Sequence, residues 1–335
     1  ATKHGYKRLA DSLPRVTLTG VKHAEATLMA GFTTVRNVGA PGFADVALRD
    51  AINDGDIQGP RMFVSGPSLG VTGGHCDNNL LPYEFHSVSE GVADGPWAVR
   101  EIVRRNIKYG ATVIKFCGTG GVLSKGTKVG VQQYTFEEMQ ALVDEAHMRG
   151  LTVATHAHGT SGIKTAIKAG VDSVEHVSLL DEEGIELALE HGTYFSMDIY
   201  VTEYILSEGE KAGILEESLA KERIVGKRQR ENFQKAVKAG VKMVFGSDAG
   251  VYPHGDNGKQ FARMVRFGMT PMQAIQAATI HPATLLKQQE TLGSISAGKK
   301  ADIVGVKGNP LDDISLLENV GLVVKDGHVV KSVAM

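Results

Sequence analysis

Thr135-Phe-Glu-Glu-Met-Gln-Ala-Leu-Val-Asp-Glu-Ala-His-Met-Arg-Gly150-Leu-Thr-Val-Ala-Thr-His-Ala-His158-Gly159 is one complete structural period of this chain. Thr135 followed by Glu138 has the form of a capping box, so a helix starts there. The apolar positions then recur at helical spacing until Gly150, a glycine placed to end the helix in a left-handed turn. The β-branched run after it reads as a buried strand. The same unit of amphipathic helix, glycine and strand recurs at Gly31, Gly110, Gly170, Gly192 and Gly240, and a further strand, Arg61 to Ser65, follows the turn Gly59-Pro60. Repeated alternation of this kind predicts a parallel sheet with right-handed crossovers.

Seven such strands are predicted, near residues 33, 61, 112, 152, 172, 193 and 242. A closed (β/α)8 TIM-like barrel needs eight. Residues 19 to 30 read as the helix that follows a first strand, while residues 1 to 18 offer no strand, so the chain as given is expected to start after strand one. Thr270-Pro-Met-Gln273 is a second capping box, and its helix is expected to run to about Ile280 and stop at His281-Pro282. From Leu292 the pattern changes to short β-rich runs. Asp326-Gly327 between valine runs signals a hairpin. Residues 1–290 are therefore read as the barrel and 291–335 as the C-terminal part of a small β-sandwich.

With 335 residues, 42% of them hydrophobic, the chain can bury an ordinary globular core. A formal charge of −2 gives no electrostatic footprint for nucleic acid or an anionic membrane, which leaves small-molecule chemistry. No apolar run reaches the roughly 18 residues of a membrane span. Cys76 and Cys117 are expected to form no disulfide framework, and no Cys-x-x-Cys spacing is present. The chain opens on Ala1 without methionine, so a targeting segment and the compartment stay open.

The predicted strands end in residues that can hold a metal: Lys115 in Val-Ile-Lys-Phe, His156 and His158 in Thr-His-Ala-His-Gly, His176 in Val-Glu-His-Val, and Asp248 in Phe-Gly-Ser-Asp. Strand alternation turns Lys115 into the barrel, where an unpaired ammonium is costly and a bland salt bridge is the alternative. His156 and His158 lie two apart, roughly 7 Å along a strand, which assigns His156 to the metal and His158 to the rim as a group facing the substrate. Either histidine alone is as readily a hydrogen-bonded core residue. Asp248 is otherwise a turn residue, but beside a metal site its carboxylate is the best candidate for the base. Imidazoles with hard oxygen ligands suit Zn²⁺, followed by Mn²⁺, Co²⁺ or Fe²⁺. Two long loops, 66–96 and 118–134, follow strand ends where barrel enzymes bind substrate. In or beside them His75 and Tyr134 are candidates for the substrate carboxylate or carbonyl, and His254 for the cavity mouth. Arg36 and Arg61 read as structural.

The order Lys115, His156, His176, Asp248, together with Leu-Gly-Ser-Ile-Ser-Ala-Gly-Lys-Lys-Ala-Asp-Ile-Val near the C-terminus, resembles the amidohydrolase superfamily of metal-dependent hydrolases across nearly the whole chain. Gly31-Phe-Thr-Thr-Val-Arg-Asn-Val-Gly39, Gly-Val-Thr-Gly-Gly-His75 and Thr-His-Ala-His-Gly159 are similar to its Xaa-Pro dipeptidase or prolidase-like branch, which includes ochratoxin-cleaving amidohydrolases. The resemblance implies two divalent ions, a Lys115 carboxylated by CO₂ that bridges them, His156 and His176 on the second ion, and Asp248 as base toward a bridging hydroxide. It also implies a homo-oligomer. The family's His-x-His pair on strand one is absent, as is the strand itself, and His4 and His23 lack that spacing.

The expected function is hydrolysis of the C-terminal amide of a dipeptide or N-acyl amino acid by metal-bound hydroxide, with His158 helping to hold the oxyanion. Cleavage of ochratoxin A to ochratoxin alpha and phenylalanine is one such reaction. The alternatives are a mononuclear deaminase or cyclic-amide hydrolase of the imidazolonepropionase kind, which Lys115 disfavours, and a non-catalytic binding barrel.

Overall fold

The computed structural model describes residues 3–333. Its wall is built from seven parallel strands: β1 (Thr34–Asn37), β2 (Arg61–Val64), β3 (Val113–Cys117), β4 (Thr152–Ala157), β5 (Ser173–His176), β6 (Tyr194–Ser196) and β7 (Met243–Val244). Neighbours in sequence are neighbours in space. β1 pairs with β2, and β3 to β7 pair in chain order. The chain beyond β2 joins the two sets, because Leu69 N–H donates to the Lys115 carbonyl and Cys117 N–H to that of Leu69, each at 2.8 Å. All seven strands lie where the glycine-punctuated pattern predicts them. The glycine caps explain this, since Gly31, Gly110, Gly150, Gly170, Gly192 and Gly240 all take positive φ, from 67° to 102°.

Helices α1 (Leu13–Met29), α2 (Ala44–Asp54), α3 (Pro96–Lys108), α4 (Phe136–Met148), α5 (Thr160–Lys168) and α6 (Glu182–His191) alternate with the strands, and α7 (Val201–Ala212) and α8 (Glu216–Ala239) both lie between β6 and β7. Ile114, Phe116, Val153, Val174 and Phe195 project outward from the sheet and are fully buried with Leu142, Ile163 and Ile167 of the helices. That leaves Lys115 and Cys117, of opposite parity, lining the interior. α1 starts earlier than expected because Ser12 caps it and Pro14 occupies its first turn.

The last barrel helix also departs from expectation. It is two helices, α10 (Pro271–Ala277) and α11 (Ile280–Leu285), after the short α9 (Lys259–Arg266). The break is at Thr279, whose φ of −128° and ψ of −84° are non-helical, and Pro282 sits in the first turn of α11, where its missing N–H costs nothing.

Beyond the wall, β8 (Ile303–Gly305), β9 (Leu322–Lys325) and β10 (His328–Ser332) form a separate antiparallel sheet in the order β10-β9-β8. Asp326 and Gly327, both with positive φ, make the expected two-residue turn. Val320 and Val323 pack on Leu28 of α1, and Arg61 of β2 pairs with Asp302 and Asp326. No helix among the described residues is long and apolar enough to cross a membrane.

Candidate active site

The strand ends open into one cavity of about 970 Å³, lined by Lys115, His156, His158, His176 and Asp248, with His75 from the 66–96 loop. The ring centroids of His156, His158 and His176 lie 4.6 to 4.9 Å apart, and His75 stacks on His156 at 4.0 Å. Strict alternation does not produce this. Glu175 and His176 are consecutive, yet both line the cavity, because His176 takes a φ of 73° and turns its ring inward. Asp248 is likewise left-handed, with φ of 51°. Non-glycine residues held in this region cost about 1 kcal/mol or more and cluster at functional sites.

Three of the four imidazoles have a defined partner on their outer side. His176 Nδ1 donates to Asp198 at 2.9 and 3.0 Å, and Asp198 is held by Gln229 Nε2 at 2.9 Å. His158 Nδ1 meets Ser178 Oγ at 2.7 Å, and His75 Nδ1 meets Ser124 Oγ at 2.8 Å. His156 Nε2 is buried with no hydrogen-bond partner. A buried lone pair left unpaired is expensive unless a cation takes it. The ligand atoms of His156, His158 and His176 all lie within 4.8 Å of one another, as do those of His176, Asp198 and Asp248. This donor set fits divalent metal, with Asp198 and Gln229 orienting His176 as outer partners of a ligating histidine do.

Electrostatics point the same way. Burial, reinforced by neighbouring cations, pushes His75 down to about 3 and His156 and His158 well below the usual range, so these rings are neutral and keep a lone pair for a ligand. Burial also pulls His176 down, but the adjacent Asp198 carboxylate outweighs it and carries the ring up to about 9. A divalent ion would displace the proton on its free nitrogen. Burial lowers Lys115, partly countered by Glu175 and Asp248, while Arg36 ties Glu175 at 2.6 Å. Asp248 is accessible from the cavity but enclosed by protein, and burial, with Asp198 nearby, pushes it up to about 6.

Several expectations are corrected. Tyr134 is 1% exposed, packs edge-on to Phe116 and donates to the Ala93 carbonyl at 3.0 Å, so it belongs to the core and not to the cavity lining. His254 is bound to Thr27 of α1 and stacked on His23 at 4.6 Å, away from the cavity lining. His156 and His158 are closer than a straight strand allows, at 4.7 Å between rings, because the strand ends at Ala157 and the His158 ring folds back. Cys76 and Cys117 are joined in a disulfide that fastens the loop bearing His75 to β3. Arg36, read from sequence as structural, lines the cavity and is paired with Glu175, which was not foreseen. Asp198 was also missed, although it follows β6 as Asp248 follows β7, and that repetition was the available signal.

A family model described as the amidohydrolase family matches residues 10–330. Among curated proteins, the Aspergillus niger ochratoxinase is 37% identical over 309 residues, which is 87% of this chain and 63% of the relative, so the chain spans about two thirds or less of that protein's length. Among solved structures, a Xaa-Pro dipeptidase with bound methionine in its active site superposes with a TM-score of 0.94 at 42% identity, covering 99% of this chain and 84% of the other. A prolidase complexed with N-methylphosphonate-L-proline gives 0.89 at 32% identity, covering 96% and 81%. The Aspergillus niger ochratoxinase structure gives 0.86 at 33% identity, covering 98% and 78%.

Proposed function

Because this chain belongs to the amidohydrolase family, we propose that it is a metal-dependent amide hydrolase that cleaves the C-terminal amide of dipeptides or N-acyl amino acids. The observation that carries this reading is the convergence of Lys115, three histidines and Asp248 at the C-terminal ends of the parallel strands, around a buried imidazole nitrogen with no protein partner. Its relatives are a dipeptidase, a prolidase and an ochratoxinase, which supports amide substrates with an amino acid on the leaving side.

In this reading Lys115, His156, His176 and Asp248 hold two divalent ions, zinc being the best match to the donors. When bound, such ions supply Lewis acidity and activate water at neutral pH. Lys115 serves as a carbamate. Burial favours its neutral amine, which is the form that adds CO₂, with a new N–C bond and loss of one proton. Asp248 accepts the proton of the attacking water and delivers it to the departing amine, the role its position at the end of β7 among the metal-holding side chains suits. His158, whose Nδ1 can accept from Ser178 Oγ–H, then carries its proton on Nε2 and donates toward the oxygen that gains charge.

Elemental analysis of protein purified without chelator is expected to give about two ions per chain. Asp248→Asn should lower turnover about a hundred- to ten-thousand-fold with metal retained. Turnover close to the native level in that variant would remove Asp248 from its role. Lys115→Ala should lose metal and activity together. Retention of both would favour the mononuclear deaminase or cyclic-amide reading.

A further inference from the structure

With Tyr134 in the core, the cavity needs another group for a substrate carboxylate. The N-terminal turn Gly5–Ala10 brings one to its rim. Arg8 lines the same cavity as His75 and His156, and its guanidinium has no hydrogen bond or ion pair to any described residue. By contrast Arg36 is tied to Glu175, Lys300 to Asp326, and Lys125 to the Tyr6 hydroxyl. Arg8 thus presents an uncompensated charge to the cavity, and that charge reaches the His75 ring.

The turn is fixed rather than trailing. His4 N–H donates to the Ala212 carbonyl at 3.1 Å and its Nε2 to that of Val251 at 2.8 Å. Lys7 Nζ donates to the Lys211 carbonyl at 2.8 Å, and Lys125 Nζ to Tyr6 Oη at 2.8 Å. The turn that carries Arg8 is therefore anchored to the end of α7 and to the segment that follows Asp248. A guanidinium preorganised in this way suits a carboxylate, which it can bind through two parallel N–H donors. Asp198, Asp248 and Glu222 also line the cavity and would repel an anion, and of the other lining cations Arg36, Lys125 and Lys300 already have protein partners.

We propose that Arg8 is the specificity residue that binds the free carboxylate of the amino acid on the leaving side of the amide, so that the cavity selects substrates ending in a free carboxylate. The inference rests on the amide-hydrolase reading for the identity of that group.

The test compares ligands that differ only in the carboxylate. Binding of L-phenylalanine, L-proline and L-lysine to the holoenzyme is measured by calorimetry against the amines that lack their carboxylate, for the native protein, Arg8→Met and Arg8→Lys. The native protein should prefer at least one amino acid over its amine. Arg8→Met should reduce that preference about 10- to 100-fold, as expected for losing a hydrogen bond to a charged group, and Arg8→Lys should restore part of it. In turnover of the matching N-acetyl amino acids, Arg8→Met should raise KM far more than it lowers kcat. No preference in the native protein, or one that survives in a folded Arg8→Met, overturns the role of Arg8. If carboxylate binding depends on Arg8 while no N-acyl amino acid or dipeptide is hydrolysed, Arg8 stands and the hydrolytic reading fails.

Discussion

Glu222 is a carboxylate in an environment unlike its chemistry. It is 4% exposed, lines the cavity from α8 and makes no ion pair with any described residue. Burial, with the charge of Asp198 adding to it, raises its carboxyl from 4.5 to about 7. A folded-state value above the unfolded one means that the folded protein holds more protons between those pH values, so the contribution of Glu222 to stability is most favourable below about 4.5 and is lost as pH rises toward 7. At about 1.4 kcal/mol per pH unit this loss is on the order of 3 kcal/mol. Glu222→Gln, which cannot ionise, should flatten that slope. The check is denaturant unfolding of chelator-treated protein from pH 5 to 8, and equal slopes in the two proteins would show that Glu222 finds a counter-ion. His176 and Asp248 make a related point, since their left-handed backbones set the ring and the carboxylate where regular strand geometry would not.

At the scale of elements, the barrel was legible because most of its helices, α1 to α9, are capped at a glycine or one residue before one, and the strands that follow are short and mostly apolar. Strand-end residues were legible for the same reason, and Lys115, His156, His158, His176 and Asp248 do face one cavity. Loop residues were not. Tyr134 and His254 are placed by long-range packing on Phe116 and on α1, which no local pattern encodes. The disulfide escaped for the same reason, its cysteines being 41 positions apart and brought together by the 66–96 loop folding over β3. Loop and element meet most tightly at Gly159, which follows His158 and begins α5. A Cβ there would overlap the backbone carbonyl of Gly130 in the 118–134 loop. Gly159→Ala should therefore cost about 1–3 kcal/mol in overpacking and shift His158. Thermal unfolding together with a metal titration tests this. An unaltered melting temperature would mean that the 118–134 loop yields at no cost.

Over the whole molecule, the parallel wall and the antiparallel sheet are tied through a small set of polar contacts centred on Arg61. Its guanidinium spans Asp302 at 2.7 Å and Asp326 at 2.6 Å, and it also donates to Thr34 of β1. Lys325 and Lys331 reach back to the Gly59 and Met29 carbonyls, so the sheet is held just before the start of β2 and at the end of α1. Asp302 is about as buried as its partner and would be left without a counter-charge if Arg61 were removed, whereas Asp326 keeps Lys300. Losing a charged hydrogen bond to a largely buried group costs about 1.5–3 kcal/mol. That loss falls on docking and not on the barrel core, whose apolar cluster does not involve Arg61. In Arg61→Ala, hydrogen exchange should accelerate in β9 and β10 while β3 to β6 keep their protection, and Arg61→Lys should recover only part because it cannot span two carboxylates in the same way. If exchange rises equally in both sheets, the two unfold as one cooperative unit and Arg61 is part of a common core. If it rises in neither, the contacts of Val320 and Val323 with Leu28 are sufficient to hold the sheet in place.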